Sequence, residues 1–237
     1  MTYCLGIKLK AGIVGLADTR ITSGNETSTA EKYKVFQHDD RRLFIMTSGL
    51  RSVRDKSLTY FSEILDEKVD EFSKLYQAVN AFGEQVKRVA QEDKSALTES
   101  GLQFNIHTIV GGQFPHDDEH KLYLLYPEGN WIEIAKGYPF TIIGNSGYGT
   151  PVLRRTLRHD STIKFALKTG FLSFDSTRVS ANDVGYPLDV LIYPRNGTEI
   201  QVRRFQEEDL RSISNFWGQK LTEAVHEVPD DWINGLG

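Results

Sequence analysis

Three side chains in the first part of the chain carry the ingredients of a nucleophile site. Thr2, directly behind the initiator methionine, offers a hydroxyl and, once Met1 is removed, a free α-amine. Asp18 offers a carboxylate and Lys34 an ammonium, each sixteen residues after the residue before it. A threonine hydroxyl is a poor nucleophile unless something takes its proton. An α-amine, with a reference pKa of about 7.7–8.0, is neutral often enough near pH 7 to take it, directly or through one water. While Met1 remains, that nitrogen is an amide and cannot act as base. The small Thr2 side chain suits removal by a methionine aminopeptidase, with self-cleavage as the alternative. Each residue also has an ordinary explanation on its own: Thr2 as a frayed terminus, Asp18 as a turn residue, Lys34 as a solvated strand lysine. Lys32 competes with Lys34, because on a strand the two share a face.

The elements that would bring these groups together are legible from periodicity and turn residues. Short β-rich runs at 3–9 and 12–18 flank the Ala11-Gly12 turn, and two more follow at 33–38 and 42–48, ended by Gly49. Residues 19–31 read as polar and turn-rich around Ser23-Gly24-Asn25. A helix is expected over 51–66. A second over 70–93 shows Phe72, Leu75, Val79, Phe82, Val86 and Val89 at threes and fours. Strands return at 103–111, 120–126, 130–135 and 139–143, then helices near 148–158 and 162–174. A hairpin of 188–194 and 198–204 turns across Pro194-Arg195-Asn196-Gly197. A last helix from Glu207 aligns Leu210, Ile213, Trp217, Leu221 and Ala224 on one face, and Pro229 ends it before a short tail. Strands and helices come in blocks, so a parallel βαβ sheet is excluded in favour of an α+β fold of two antiparallel sheets with helices outside. No linker or repeat divides residues 1–237, which read as one domain with a tail from about 229.

At this point the sequence resembles a known family. The segment TxxxGI from Thr2, then GIVGLADTRITSG from Gly12, Lys34-Val-Phe, and a strand ending Thr47-Ser48-Gly49 look like the β-type subunits of the proteasome, which are N-terminal nucleophile hydrolases. The start, MTYCLGIKL, and the chain length look most like the bacterial Anbu, or ancestral β-subunit, branch. Gly144-Asn-Ser146-Gly147 precedes a helix as the family's active-site serine does, and Asp183 lies 37 residues further on, at the family's spacing for its supporting aspartate. One departure is Tyr186, where the family often has serine.

The resemblance implies a four-layer αββα sandwich and a threonine peptidase acting on peptide or other amide bonds. It makes Thr2 the nucleophile and base, Lys34 the cation that favours a neutral amine, and Asp18 the group that holds Lys34. It places the Gly49 N–H at the oxyanion, Ser146 and Asp183 as supports of the amine, Thr47 in the substrate pocket, and Arg20 as a structural residue. Assembly into a homo-oligomeric ring or open spiral is also implied, without a cofactor, and the family spacing favours Lys34 over Lys32. Two other classes stay open: an amidohydrolase of small amides, and a structural subunit without turnover.

The rest of the chain is quieter. A net charge of -4 without a basic block speaks against nucleic acid or a membrane surface as partner. No apolar run is long enough to cross a bilayer, no secretory signal is present, and the single cysteine, Cys4, excludes an intrachain disulfide framework. A cytoplasmic protein is expected. Cys4, two residues from Thr2, reads as a buried side chain rather than a rival nucleophile. His116 and His120 among carboxylates read as a solvated turn rather than a metal site.

Overall fold

The computed structural model describes residues 2–23 and 26–234. Met1, Gly24-Asn25 of the expected turn, and residues 235–237 of the tail lie outside them. Strands β1 (Tyr3–Leu9) and β2 (Gly12–Asp18) form the hairpin expected from their sequences, followed by β3 (Arg20–Ser23), β4 (Glu26–Thr29), β5 (Tyr33–His38) and β6 (Arg41–Gly49). Helices α1 (Arg51–Lys68) and α2 (Leu75–Glu99) lead to β7 (Ile106–Gln113), β8 (Lys121–Leu125), β9 (Trp131–Glu133) and β10 (Phe140–Gly144). Then come α3 (Thr150–Thr156), α4 (Ile163–Arg178), β11 (Leu188–Pro194), β12 (Gln201–Phe205) and α5 (Glu207–His226).

Two five-stranded sheets result, in the orders β10-β1-β2-β11-β12 and β5-β6-β7-β8-β9, with every neighbour pair antiparallel. Because side chains alternate along a strand, each central strand feeds two layers at once. In β1, Leu5 and Ile7 pack against Phe171 and Phe174 of α4, while Cys4 joins Phe44, Met46, Ile109 and Leu122 between the sheets. In β6, Leu43 and Ile45 face Val53 and Phe61 of α1 and Val79, Phe82 and Val86 of α2. The layers are therefore helix, sheet, sheet, helix, the αββα sandwich expected. Full burial of all seven residues of both β1 and β2 follows from their central position.

Three departures have physical causes. The stretch read as turn-rich is a hairpin, β3–β4, pairing Arg20 with Thr29 and Ile21 with Ser28; its strands carry β-branched residues but no alternating apolar face to announce them. Helix α2 starts at Leu75 rather than 70, because the Gln77 side chain accepts the backbone N–H groups of Ser73 (2.8 Å) and Lys74 (2.9 Å) and so fixes the helix entry there. Helix α5 has no buried residue. Leu210, Ile213, Phe216 and Trp217 line an open apolar groove against the first sheet, in which Phe216 stays 59% exposed, and Leu221 beyond it is 47% exposed. Among the described residues, no helix is long and apolar enough to cross a membrane.

Candidate active site

The hairpin β1–β2 puts its two ends side by side, so the start of β1 meets the end of β2. There the buried Asp18 carboxylate is held on both oxygens. Oδ1 accepts the backbone N–H of Tyr3 at 2.8 Å and the Lys32 ammonium at 2.6 Å, and Oδ2 accepts the N–H of Gly185 at 3.4 Å. One oxygen thus links a buried lysine to the peptide that joins Thr2 to Tyr3. Burial pushes the Asp18 carboxyl above the ordinary carboxylate range, opposed by the Lys32 charge and by these hydrogen bonds.

The lysine is Lys32, which corrects the assignment of Lys34. Lys34 lies inside β5 opposite Ile45 and is exposed. Strand β5 begins only at Tyr33, so Lys32 belongs to the preceding connection and the alternation that would tie the two lysines to one face does not reach it. Two bonds fix that connection. The Thr47 N–H donates to the Lys32 carbonyl (2.9 Å), and the Arg54 guanidinium donates to the Glu31 carbonyl (2.6 Å).

Thr2 itself is buried, and its backbone is gripped by the end of β10: the Asn145 N–H donates to the Thr2 carbonyl at 2.7 Å. Gly144 adopts φ +86°, and a Cβ there would lie 1.9 Å from the Thr2 carbonyl oxygen. Only glycine fits this approach. Ser146 follows two residues later and is exposed, with its carbonyl accepting the Thr150 N–H and hydroxyl at the start of α3. The motif GNSG therefore arrives at the nucleophile through its first two residues.

In the second sheet, β6 ends at Gly49. Its φ of +130°, and the 2.1 Å separation between a Cβ there and the Asn105 carbonyl, again admit only glycine. Thr47, two residues earlier, is buried; its carbonyl accepts the Cys4 thiol at 3.8 Å, and its Oγ1 has no hydrogen-bond partner. Burial raises the Cys4 thiol well above its ordinary range, which leaves it an inert packing residue.

The loop between α4 and β11 meets the site through its Gly185 N–H on Asp18. Asp183 is half-buried within it, and Arg20 lies along it, donating to the Asn182 carbonyl at 2.9 Å with its guanidinium against Gly185. Arg20 thus braces the loop whose Gly185 N–H holds Asp18. Tyr186 does not replace the absent serine as a polar support: its ring packs on Phe174 (centroids 5.2 Å) in the helix-side core, and burial pushes its hydroxyl up to about 12. Tyr3 and Gly185 complete the site beyond the residues read from the sequence, and Lys32, there the competitor of Lys34, takes its place. The first two act through backbone N–H groups, which residue type does not advertise.

The expected solvated turn at 116–120 is only half so. His116 is exposed, but His120 is buried edge-to-face on Tyr193, with ring centroids 4.4 Å apart. Among the described residues, no group of three or more His, Cys, Asp or Glu side chains is placed to hold a metal ion.

A family model described as Proteasome subunit matches residues 2–184. Among solved structures, the Anbu (Gly-1) mutant from Hyphomicrobium sp. strain MC1 is 30% identical, with 96% of this chain and 99% of that chain covered and a TM-score of 0.88. Anbu from Yersinia bercovieri is 30% identical over 96% of this chain and 97% of that one, at a TM-score of 0.86. A structure described as the helical assembly of the Anbu complex from Pseudomonas aeruginosa is 27% identical, with coverage of 96% and 97% and a TM-score of 0.87. No curated protein matches the sequence.

Proposed function

Since the chain belongs to the proteasome subunit family, in its Anbu branch, we propose that it is a threonine-type N-terminal nucleophile hydrolase that cleaves peptide bonds, with Thr2 as nucleophile after loss of Met1. The observation that carries this reading is the single Asp18 oxygen shared by the Lys32 ammonium and the Tyr3 amide, at 2.6 and 2.8 Å. It supports a positive charge held beside the α-amine of Thr2.

In this mechanism the α-amine takes the Thr2 hydroxyl proton while Oγ1 attacks the substrate carbonyl carbon. The Lys32 charge disfavours protonation of that amine and favours the developing alkoxide. The Gly49 N–H receives the oxyanion. Collapse breaks the C–N bond, and the α-ammonium returns its proton to the leaving amine. Water, deprotonated by the same α-amine, then hydrolyses the acyl ester. Ser146 and Asp183 orient the amine and this water, Thr47 lines the pocket for the residue before the scissile bond, and Arg20 holds the loop behind Asp18. The chemistry uses water and the chain's own groups.

We further read the protein as a homo-oligomer. The uncovered apolar residues of α5, Ile213, Phe216 and Leu221 among them, suit contact with a further copy, and the Pseudomonas aeruginosa relative is described as a helical assembly. Intact mass spectrometry of cell-derived protein, with an electrophile that closes a ring across a terminal hydroxyl and amine, tests the catalytic reading. Loss of the methionine mass and one adduct on Thr2 are expected. Thr2→Ala is expected to abolish the adduct and the hydrolysis of peptide and small-amide libraries while leaving assembly intact; unchanged hydrolysis in that variant would refute the assignment.

A further inference from the structure

At the end of the β1–β2 hairpin away from Thr2, a cavity of about 20 Å³ is lined by Lys8, Leu9, Lys10, Glu119, His120 and Arg195. That volume accommodates one water or one monatomic ion. Three of the six lining residues are cations and one is a carboxylate. The carboxylate is already engaged on both oxygens: Glu119 Oε1 pairs with Lys8 at 3.1 Å and Oε2 with Lys136 at 3.0 Å. Lys8 is buried and takes its second partner, Glu133, at 3.0 Å. Lys10 and Arg195 make no ion pair among the described residues.

His120 is a second, independent indication of a ligand. The side chain is 4% exposed and its Nε2 has no hydrogen-bond partner. The ring packs edge-to-face on Tyr193. A buried orphan nitrogen in a polar cavity calls for a bound species. The imidazole is neutral near pH 7, because burial and the neighbouring Arg195 and Lys8 charges depress its pKa to about 4. With its proton on Nε2 the neutral ring supplies an N–H donor alongside the Lys10 and Arg195 cations, and an acceptor carrying negative charge answers all three.

We propose that this cavity binds a single halide-sized anion, chloride by size and charge, held by Lys10, Arg195 and the His120 imidazole. Such an ion joins three separate segments: the β1–β2 turn carrying Lys10, the β7–β8 connection carrying His120, and the β11–β12 turn carrying Arg195. Two of these already touch, since the Arg195 N–H donates to the Ala11 carbonyl at 2.8 Å. The ion clamps that end of the sandwich where side chains from the two sheets meet. A water molecule would satisfy the imidazole alone, without drawing Lys10 and Arg195 onto one partner.

The full-length protein, melted at constant ionic strength with sodium chloride progressively replacing sodium gluconate, tests this. A melting temperature that rises with chloride and saturates as a single site is expected, together with one anomalous peak in the cavity of a bromide-soaked crystal. Lys10→Gln combined with Arg195→Gln alters only exposed turn residues and is expected to weaken chloride at least tenfold while melting like the parent in gluconate. Equal melting in the two salts, an unchanged chloride response in the double variant, or water alone in the cavity of the bromide-soaked crystal would overturn the proposal.

Discussion

Two buried lysines sit at opposite ends of the same hairpin, and their partners differ in kind. At the Thr2 end, Lys32 meets one carboxylate, Asp18, which is 0% exposed and also receives two backbone N–H groups. At the far end, Lys8 meets two carboxylates, Glu119 and Glu133, whose side chains are 29% and 39% exposed. These are shared with Lys136 at 3.0 Å and Lys121 at 3.5 Å. The first arrangement allows one geometry, since neither partner has solvent or a second ion to turn to. The second is a network in which each charge has an alternative. A fixed ammonium is what an N-terminal nucleophile needs; a shared one is sufficient to tie two sheets together.

Deleting partners separates the two most strongly. Asp18→Ala leaves the Lys32 ammonium buried and unpaired and two N–H groups without acceptors, for which a loss of about 3–5 kcal/mol is expected. Lys8→Met keeps the buried stem, and its carboxylates retain other lysines and solvent, so about 1 kcal/mol or less is expected. Urea titration of both variants checks the ranking; equal losses would erase the distinction.

A smaller effect is confined to the far end and read by pH. Burial is the main cause of the low His120 pKa, followed by Arg195, with Glu119 opposing and Lys8 adding to it. The unfolded imidazole binds a proton below about pH 6.5, while the folded one stays neutral until about 4. Between these values the unfolded state holds more protons, so stability falls as pH drops, by up to about 3 kcal/mol across the window. In chloride-free buffer, His120→Phe is expected to flatten that part of the stability–pH curve; a parent curve already flat between pH 6.5 and 4 would contradict the assignment.

The contrast also shows what a sequence discloses. Strand alternation and helical periodicity report burial, so the sandwich and the positions of Thr2, Asp18 and Gly49 at strand ends were legible. Lys32 is the competitor that the family spacing passes over: the length of an irregular connection leaves no periodic trace to correct that spacing, and a shift of one residue in the strand start decides which lysine is buried. The N–H groups of Tyr3 and Gly185 belong to the backbone and are the same for every residue but proline. The β3–β4 hairpin lacks an apolar face, and α5 is amphipathic in sequence yet only partly covered by this chain.

The central claim is that Lys32, fixed by Asp18, is the ammonium that sets the reactivity of Thr2. Intact mass spectrometry of the adduct-forming rate in Lys32→Met and Lys34→Met, each freed of Met1, tests it most directly. Lys34→Met is expected to label at the parent rate and Lys32→Met about 100-fold or more slowly, the size of effect typical of losing acid–base assistance. Normal labelling of Lys32→Met with loss in Lys34→Met would contradict the account.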